Sequence, residues 1–427
     1  MSGPVATVGT MKDHETDACP CSTPQAQRPP ARDAGFPSPA KLAGRAAVWA
    51  RTMSGTATPS GAVLAHGVSG RPHVEASTIT RLAREEAEEL LLARGATRSI
   101  GAGKRSREET PDPLRTCFER DRDRILHSSA FRRLAGKTQV FVFPLDHQRT
   151  RLTHALEVTQ VAGAVARATG LNVALTEAIA LGHDCGHGPG GHASEDAFSA
   201  YLSAGFDHAI WGADVVLAPL NLCAETLDGI RHHSWSLPSP VTPEGALVSW
   251  ADRCAYCAHD LEDAARVGLA DPDELPPAVA DVAGTSRSTQ LRCFVNALVD
   301  CITSTGEIAM REPYAGALAA LREFNYEHIY TRPSSVAQGQ AVIAVLSALV
   351  EFFVHNPSLL PGADQALRAG PEVTLGDERP STDGGGTDPL THRAVSYVSG
   401  MTDRFAFSTA VRLLGWRPER LPRVVGS

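Results

Sequence analysis

From Asp112 onward, apolar side chains return every three or four positions through most of residues 118–360. That period is the turn of an α-helix, not the two-residue alternation of a half-buried strand. Leu152, Leu156, Val158, Val161 and Val165 mark one helix over 152–168. Val173, Leu175, Ile179 and Leu181 mark a second over 173–183, stopped near Gly186. A third covers Leu220–Ile230. Pro243 suits a helical first turn and opens a fourth helix through Leu247, Trp250 and Leu261. Residues 285–310, 336–354 and 392–414 add further helical stretches, and the one strand-like run is Thr138–Phe143, ended by Pro144. Hydrophobic residues make up 43% of the chain but aromatics only 6%, a balance that also favours helices over a β-sandwich. The predicted class is all-α.

The rest of the chain is read by contrast with this core. Residues 1–95 are expected to be a disordered or weakly structured N-terminal extension, since 1–75 are rich in Gly, Pro, Ser, Thr and Ala. Only 76–95 has leucines at spacings that allow a helix. Residues 96–110 read as a linker, 111–360 as the core, 361–390 as a flexible insertion containing Gly384–Gly386, and 391–427 as a return to the same domain. A chain starting near residue 100 is therefore expected to keep its fold. The net charge of -8 argues against a broad basic surface for duplex DNA. Nine scattered cysteines form no disulfide framework and suggest a reducing, cytoplasmic compartment. No membrane association is expected: no apolar run reaches the roughly 18 residues needed for a bilayer, and segment 344–354 reads as a buried helix.

The chemistry lies between Arg120 and Asp260. His183-Asp184 is an adjacent imidazole–carboxylate pair; His154 precedes it on one predicted helix and Asp252 follows on another. Two imidazoles and two carboxylates can share one divalent ion, with positions left for water or phosphate. That donor set suits Mn, Fe, Co, Ni or Zn and tolerates Mg. Asp252, Tyr256, His259, Asp260 and Asp263 share one helical face. On a helix otherwise largely apolar, such a stripe needs a cation or partners. The loop from His183 to Glu195 holds three histidines and four glycines in thirteen residues, a composition suited to close backbone approach to a ligand. His192 and Glu195 stand three apart, so a helical turn sets them side by side, an arrangement suited to general acid/base work. Arg149 and Arg151 precede His154, and an arginine there can grip phosphate bidentately. The alternating run Arg120–Arg124 fits either a salt-bridged surface helix or a substrate role. Cys254 and Cys257 lie mid-helix and read as packing, and the Gly-rich loop lacks the Gly-Lys-Ser/Thr of a Walker motif.

The stretches RDRDRILHSSAFRRLAGKTQVF (120–141), RTRLTHALEV (149–158), 182–195, LNLCAETLDGIRHHS (220–234), VSWADRCAYCAHDLED (248–263) and YVSGMTDRFA (397–406) together resemble the deoxyguanosine triphosphate triphosphohydrolase-like branch of the HD superfamily. The resemblance implies an HD-domain helical bundle with a metal site between helices, and release of tripolyphosphate and a deoxynucleoside from deoxynucleoside triphosphates. His154, His183, Asp184 and Asp252 match the metal ligands, and His192 and Glu195 the catalytic pair. His187 and His208 match histidines near the phosphates, and Arg151 an α-phosphate contact. Tyr256 matches a residue packing on the deoxyribose, and Asp260 and Gln139 groups near the 3′-hydroxyl. A homo-oligomer and a nucleotide or single-stranded DNA effector are further expectations. The chain departs from the family pattern at Gly190, where an aromatic is usual, at Ser194, where Gly is common, and at Ala209, where Asn is common. Other HD activities, on nucleoside monophosphates or (p)ppGpp, and a non-catalytic nucleotide or single-stranded nucleic-acid sensor on this fold are the alternatives.

Overall fold

The structure, a computed structural model, describes residues 39–53, 55–66, 73–361 and 386–422. Expectations for residues 1–38 and for most of the insertion, 362–385, fall outside the described residues. The chain divides into two compact units, 1–77 and 78–427. In the first, helix α1 (Pro39–Met53) precedes a short antiparallel hairpin, β1 (Thr56–Ala57) with β2 (Val63–Leu64).

The second unit is helical: α2 (Arg81–Leu91), α3 (Cys117–His127), α4 (Ser129–Arg133), α5 (Arg151–Thr169), α6 (Val173–Gly182), α7 (Ala193–Ser199), α8 (His208–Trp211), α9 (Ala224–Arg231), α10 (Pro243–Arg266), α11 (Pro277–Ala283), α12 (Arg287–Thr305), α13 (Tyr314–Asn325), α14 (Pro333–His355), α15 (Pro389–Ser399) and α16 (Asp403–Leu414). Helices α5, α6 and α10 pack on one another, with α3 on α6. Ile125, Val158, Ile179, Ala251 and Ala255 are buried at their contacts. The other side of α10, through Leu247, Cys254, Cys257 and Leu261, packs on Phe294, Leu298 and Leu321 from α12 and α13. Each large apolar side chain removed from water contributes roughly 1.5–3 kcal/mol, so α10 is anchored on both flanks. A third cluster joins α14 to α7, α15 and α16 through Phe198, Val345, Leu349, Val398 and Phe407.

Local chemistry moves several boundaries from the sequence expectation. Thr138–Phe143 is a loop, not a strand: a single bridge links Thr138 to Thr150, and Phe143 adopts φ 55°, which ends extension. The third helix starts at Ala224 because Asn221 is left-handed, φ 52°, after a 3-10 turn over Ala218–Leu220. Residues 392–414 form two helices, since the break at 400–402 lets Thr402 cap α16 by accepting from Phe405 N. The apolar-run expectation also needs correction. Helix α14 is long and apolar enough to cross a membrane, with mean hydropathy 1.7 over its most apolar window. Its Val342, Val345, Leu346, Leu349, Val350 and Phe353 are nevertheless buried in the third cluster.

Residues 96–110 do not behave as a linker. Glu244, in the first turn of α10, is fully buried. Its carboxylate accepts from Thr97 N at 3.0 Å, Thr97 Oγ1 at 2.6 Å and Asn172 N at 2.9 Å. Ala93 N donates to Gly170 O at 2.8 Å, and Arg105 Nη1 donates to the buried Asp121 at 2.6 Å. A buried carboxylate needs such donors, which is why this segment is tied down. The boundary of dispensable sequence therefore moves upstream. A chain lacking residues 1–77 should keep the melting temperature of the second unit. A chain starting at 100 strips both Thr97 donors from Glu244, costing about 1–3 kcal/mol or more, and should melt measurably lower. Equal melting temperatures for the two truncations would contradict this.

Candidate metal centre and active site

The sequence-predicted ligands come from three helices. His154 lies one turn into α5, His183 and Asp184 directly follow α6, and Asp252 lies mid-way along α10. His154 Nε2 is 2.9 Å from Asp252 Oδ1 and 3.9 Å from Asp184 Oδ2. His183 Nε2 is 3.6 Å from both Asp184 Oδ1 and Asp252 Oδ1. His183 Nδ1 donates to Ala180 O at 2.7 Å, which leaves a bare lone pair on Nε2. Among the described residues, buried His183 Nε2 meets no hydrogen-bond partner. Ligand atoms of His154, His183 and Asp184 lie within 4.8 Å of one another. Imidazole and carboxylate donors so converged, with a carbonyl-oriented histidine, fit a divalent ion.

Electrostatics agree with an anionic centre. Burial disfavours a charged Asp184, but the charge of Arg151 and the imidazoles of His183 and His187 outweigh it and hold the carboxyl well below its usual range. Arg151 Nη1 donates to Asp184 Oδ2 at 2.8 Å. Burial likewise opposes ionisation of Asp252, yet the hydrogen bond from His154 and the charge of His183 bring its pKa to about 2. Burial opposes protonation of His154; the bond and charge of Asp252 prevail and raise it.

The Gly-rich loop delivers the second constellation. His192 immediately precedes α7, so Glu195 falls one turn on. His192 Nδ1 stands 2.8 Å from Glu195 Oε1, and His208 Nδ1 stands 3.0 Å from the same oxygen. Burial raises the Glu195 pKa, but the bonds to His192 and His208 win and hold it well below the carboxylate range. The His192 ring is largely exposed, while His208 is buried. His187 stacks on His208 with ring centres 3.7 Å apart; burial and the charge of Arg151 hold its pKa well below the ordinary value. A Cβ on Gly186 would lie 2.0 Å from His208 O and 2.4 Å from Gly212 N. These are backbone atoms, so only glycine lets this loop seat against α8. Gly190, φ 74°, would drive a Cβ to 2.4 Å from Val342 Cγ1, and α14 thus occupies the space beside this family departure. Ser194 also has a local role: Gly188 N donates to its Oγ at 3.1 Å, and the Oγ donates to Gly191 O at 2.7 Å.

A cavity of about 510 Å³ opens over these groups. Gln139, Arg151, His187, His208, Tyr256 and Asp260, the residues matched to substrate contacts, all line it. Tyr256 Oη accepts from Arg322 Nε at 3.0 Å, and Tyr330 Oη donates to Asp260 Oδ2 at 2.5 Å. Burial pushes the Asp260 carboxyl up to about 7 despite that bond. Arg149 does not join the site. Its guanidinium pairs with Glu157, Glu262 and Asp263 at 2.6–2.7 Å and fastens α5 to α10. Asp263 on the carboxylate stripe thereby finds its partner. The Arg120–Arg124 run is likewise a tie, Arg120 and Arg124 both meeting Glu109.

Three positions escaped the sequence reading. His233 is buried and faces both His183 and His208, with ring centres about 5 Å from each. Its only sequence signal is the His232-His233 pair, of which His232 turns to Asp228. Lys137 Nζ donates to His187 O and, at 3.1 Å, to Ser399 O; burial and nearby Arg133 lower its pKa to about 7. Asp403 accepts from Gly190 N at 2.9 Å and from Thr138 N and Oγ1 at 3.0 and 2.5 Å. The start of α16 thus clamps both the Gly-rich loop and the loop after α4.

Residues 151–257 match the HD domain model, and residues 308–412 match the phosphohydrolase-associated domain model. The chain is 38% identical over 329 residues to a deoxyguanosinetriphosphate triphosphohydrolase-like protein of Caldanaerobacter subterraneus, covering 75% of this chain and 92% of that one. Similarly named proteins of Desulfatibacillum aliphaticivorans and Clostridium perfringens are 38% and 37% identical, covering 71% and 74% of this chain and 89% and 90% of theirs. The helical bundle, the converging His and Asp side chains and these relatives agree: the chain belongs to the deoxyguanosinetriphosphate triphosphohydrolase-like family of HD-domain proteins.

Proposed function

We propose that the protein hydrolyses deoxynucleoside triphosphates, dGTP or dNTPs in general, to a deoxynucleoside and tripolyphosphate. The observation that carries this reading is one cavity holding three kinds of group. A metal-type cluster of His154, Asp184 and Asp252 forms one part, His192 another, and Tyr256 with Asp260 a third. The family names of the relatives point the same way.

His154, His183, Asp184 and Asp252 would hold one divalent ion, Mg, Mn or another transition metal such as Fe, Co or Ni. When bound, such an ion supplies Lewis acidity toward a phosphoryl oxygen and lowers the pKa of water. Arg151 spends Nη1 on Asp184, while Nη2 meets no acceptor among the described residues and remains a donor for an α-phosphate oxygen. Catalysis of phosphoryl transfer rests on such positioning and charge stabilisation. Buried His187 and His208 extend this polar wall along the phosphates. His192, with Nδ1 engaged by Glu195, keeps Nε2 free to exchange a proton with the attacking water or the leaving 5′-oxygen. Tyr256 would pack on the sugar where a 2′-hydroxyl would be sensed, and Asp260 with Gln139 would meet the 3′-hydroxyl. The described cysteines are unpaired, in keeping with a cytoplasmic enzyme. The proposal includes a homo-oligomer with a nucleotide or single-stranded DNA effector.

Three outcomes test this. Incubation with each dNTP and Mn or Mg should yield deoxynucleoside and tripolyphosphate by chromatography; orthophosphate or pyrophosphate would instead indicate another HD activity, and no turnover a sensor. His183→Ala and Asp252→Ala should lose metal and activity together, and full metal content with wild-type turnover in His183→Ala would refute the ligand assignment. His192→Ala should keep its metal and lose about 100- to 10,000-fold in single-turnover rate. Because Glu195 Oε1 holds both His192 and His208, Glu195→Ala should fall at least as far. A Glu195→Ala rate close to wild type would contradict the pair.

A further inference from the structure

His192 owes little of its position to its own side chain. The ring is 75% exposed, with Glu195 as its hydrogen-bond partner, so the backbone of the Gly-rich loop sets where it points. Gly190 and Gly191 both adopt positive φ, 74° and 65°, a freedom that glycine has and other residues lack. Such a loop keeps one course only if its amides are fixed from outside. Ser194 Oγ fixes Gly188 N at 3.1 Å. Gly190 N, two residues before His192, donates to Asp403 Oδ1 at 2.9 Å and to no other acceptor among the described residues.

The other oxygen of the same carboxylate holds a second wall of the cavity. Asp403 Oδ2 accepts from Thr138 N at 3.0 Å and from Thr138 Oγ1 at 2.5 Å, directly before Gln139. Asp403 is buried and opens α16, whose Ala406, Phe407 and Ala410 lie in the third cluster. One carboxylate on a packed helix thus holds two loops in register, the kind of support that a preorganised site needs. The two backbone N–H groups can only donate. An amide at this position would keep one acceptor oxygen and turn an NH2 group against a donor. Thr138 offers two donors to the one of Gly190, so the amide oxygen would stay with Thr138 and Gly190 N would be released.

We infer that Asp403 is a positioning residue for His192, acting on the reaction through the course of the Gly-rich loop. It lies in the phosphohydrolase-associated match, 308–412, outside the HD match, 151–257, and is not part of the cavity wall. Chemistry at the HD site therefore depends on a side chain that the HD segment does not contain. A residue that works this way changes the rate of the chemical step and leaves metal binding alone. Its effect disappears once His192 is gone, because the two act as a unit. The rate readout rests on the proposed dNTP hydrolysis; the restraint on the loop does not.

Full-length protein carrying Asp403→Asn, His192→Ala or both is loaded with Mn2+ and compared with wild type in single-turnover hydrolysis of dGTP. Bound metal, melting temperature and hydrogen exchange over residues 183–195 are measured on each. Asp403→Asn should keep its metal and its half-saturating dGTP concentration, and exchange faster over 183–195. Its rate should fall roughly 100-fold, the scale set by a small misplacement of a reacting group. In the His192→Ala background the same substitution should cost nothing further. A wild-type rate in Asp403→Asn overturns the role. The same fold-loss with and without His192 overturns it too, since that marks a general weakening of the fold. If Asp403→Asn does not fold, amide exchange in the wild type decides: slower exchange at Gly190 than at Gly191 supports the restraint, and equal rates overturn it. Absence of dNTP turnover in the wild type would sink the substrate reading alone. Exchange over 183–195 would then decide for Asp403, faster in Asp403→Asn upholding the restraint and unchanged removing it.

Discussion

The buried carboxylate of Asp184 organises this molecule. It lies at the end of α6, out of water, and is met by Arg151 from α5 and by the imidazoles of His183 and His187. An isolated buried carboxylate would not stay ionised; this one does because three elements bring positive or polarisable groups to it. Removing one partner of such a buried pair typically costs about 3–5 kcal/mol. The packing of α5, α6 and α10 therefore serves more than core burial. Val158, Ile179 and Ala255 fix the distances at which His154, Asp184 and Asp252 confront one another, and the Arg149 clamp on Asp263 fixes α5 against α10 near the same point.

The loop that carries His192 depends on a different support. Its glycines free it to pass close to α8 and α14, but they also leave it without a scaffold of its own. Part of the support comes from sequence more than two hundred residues away. Asp403 accepts from Gly190 N, and Lys137, itself held by Ser399 O, caps His187 O. The phosphohydrolase-associated segment, 308–412, thus braces the HD segment at the Gly-rich loop. Burial of Lys137 and Asp403 in this role fits their displaced titration, Lys137 downward and Asp403 upward, each chiefly by loss of water.

Much of this was legible before the structure. Helical periodicity located α5, α6, α10, α12 and α14 to within a few residues, because their buried faces recur at helical spacing. The order of His154, His183-Asp184 and Asp252 pointed to side chains that the helices do bring together, and the three-residue step from His192 to Glu195 became a helical turn. What stayed hidden was set by contacts between distant segments. His233 is one of two adjacent histidines, and only the turn ending α9 decides which one points inward. Arg149 reads as a phosphate ligand until Glu262 and Asp263 claim it. Residues 96–110 read as a linker because nothing local announces that Glu244, far downstream, needs their donors. Thr138–Phe143 has strand composition but spends its hydrogen bonds on Asp403.

In the proposed reaction water attacks the α-phosphorus, between Arg151 and the His192/Glu195 pair, and the 5′-oxygen of the deoxynucleoside leaves. Hydrolysis of a dNTP in 18O-labelled water, followed by mass spectrometry of both products, tests this most directly. One 18O atom is expected in the tripolyphosphate and none in the deoxynucleoside. Label in the 5′-hydroxyl of the deoxynucleoside, or release of labelled orthophosphate, would contradict it.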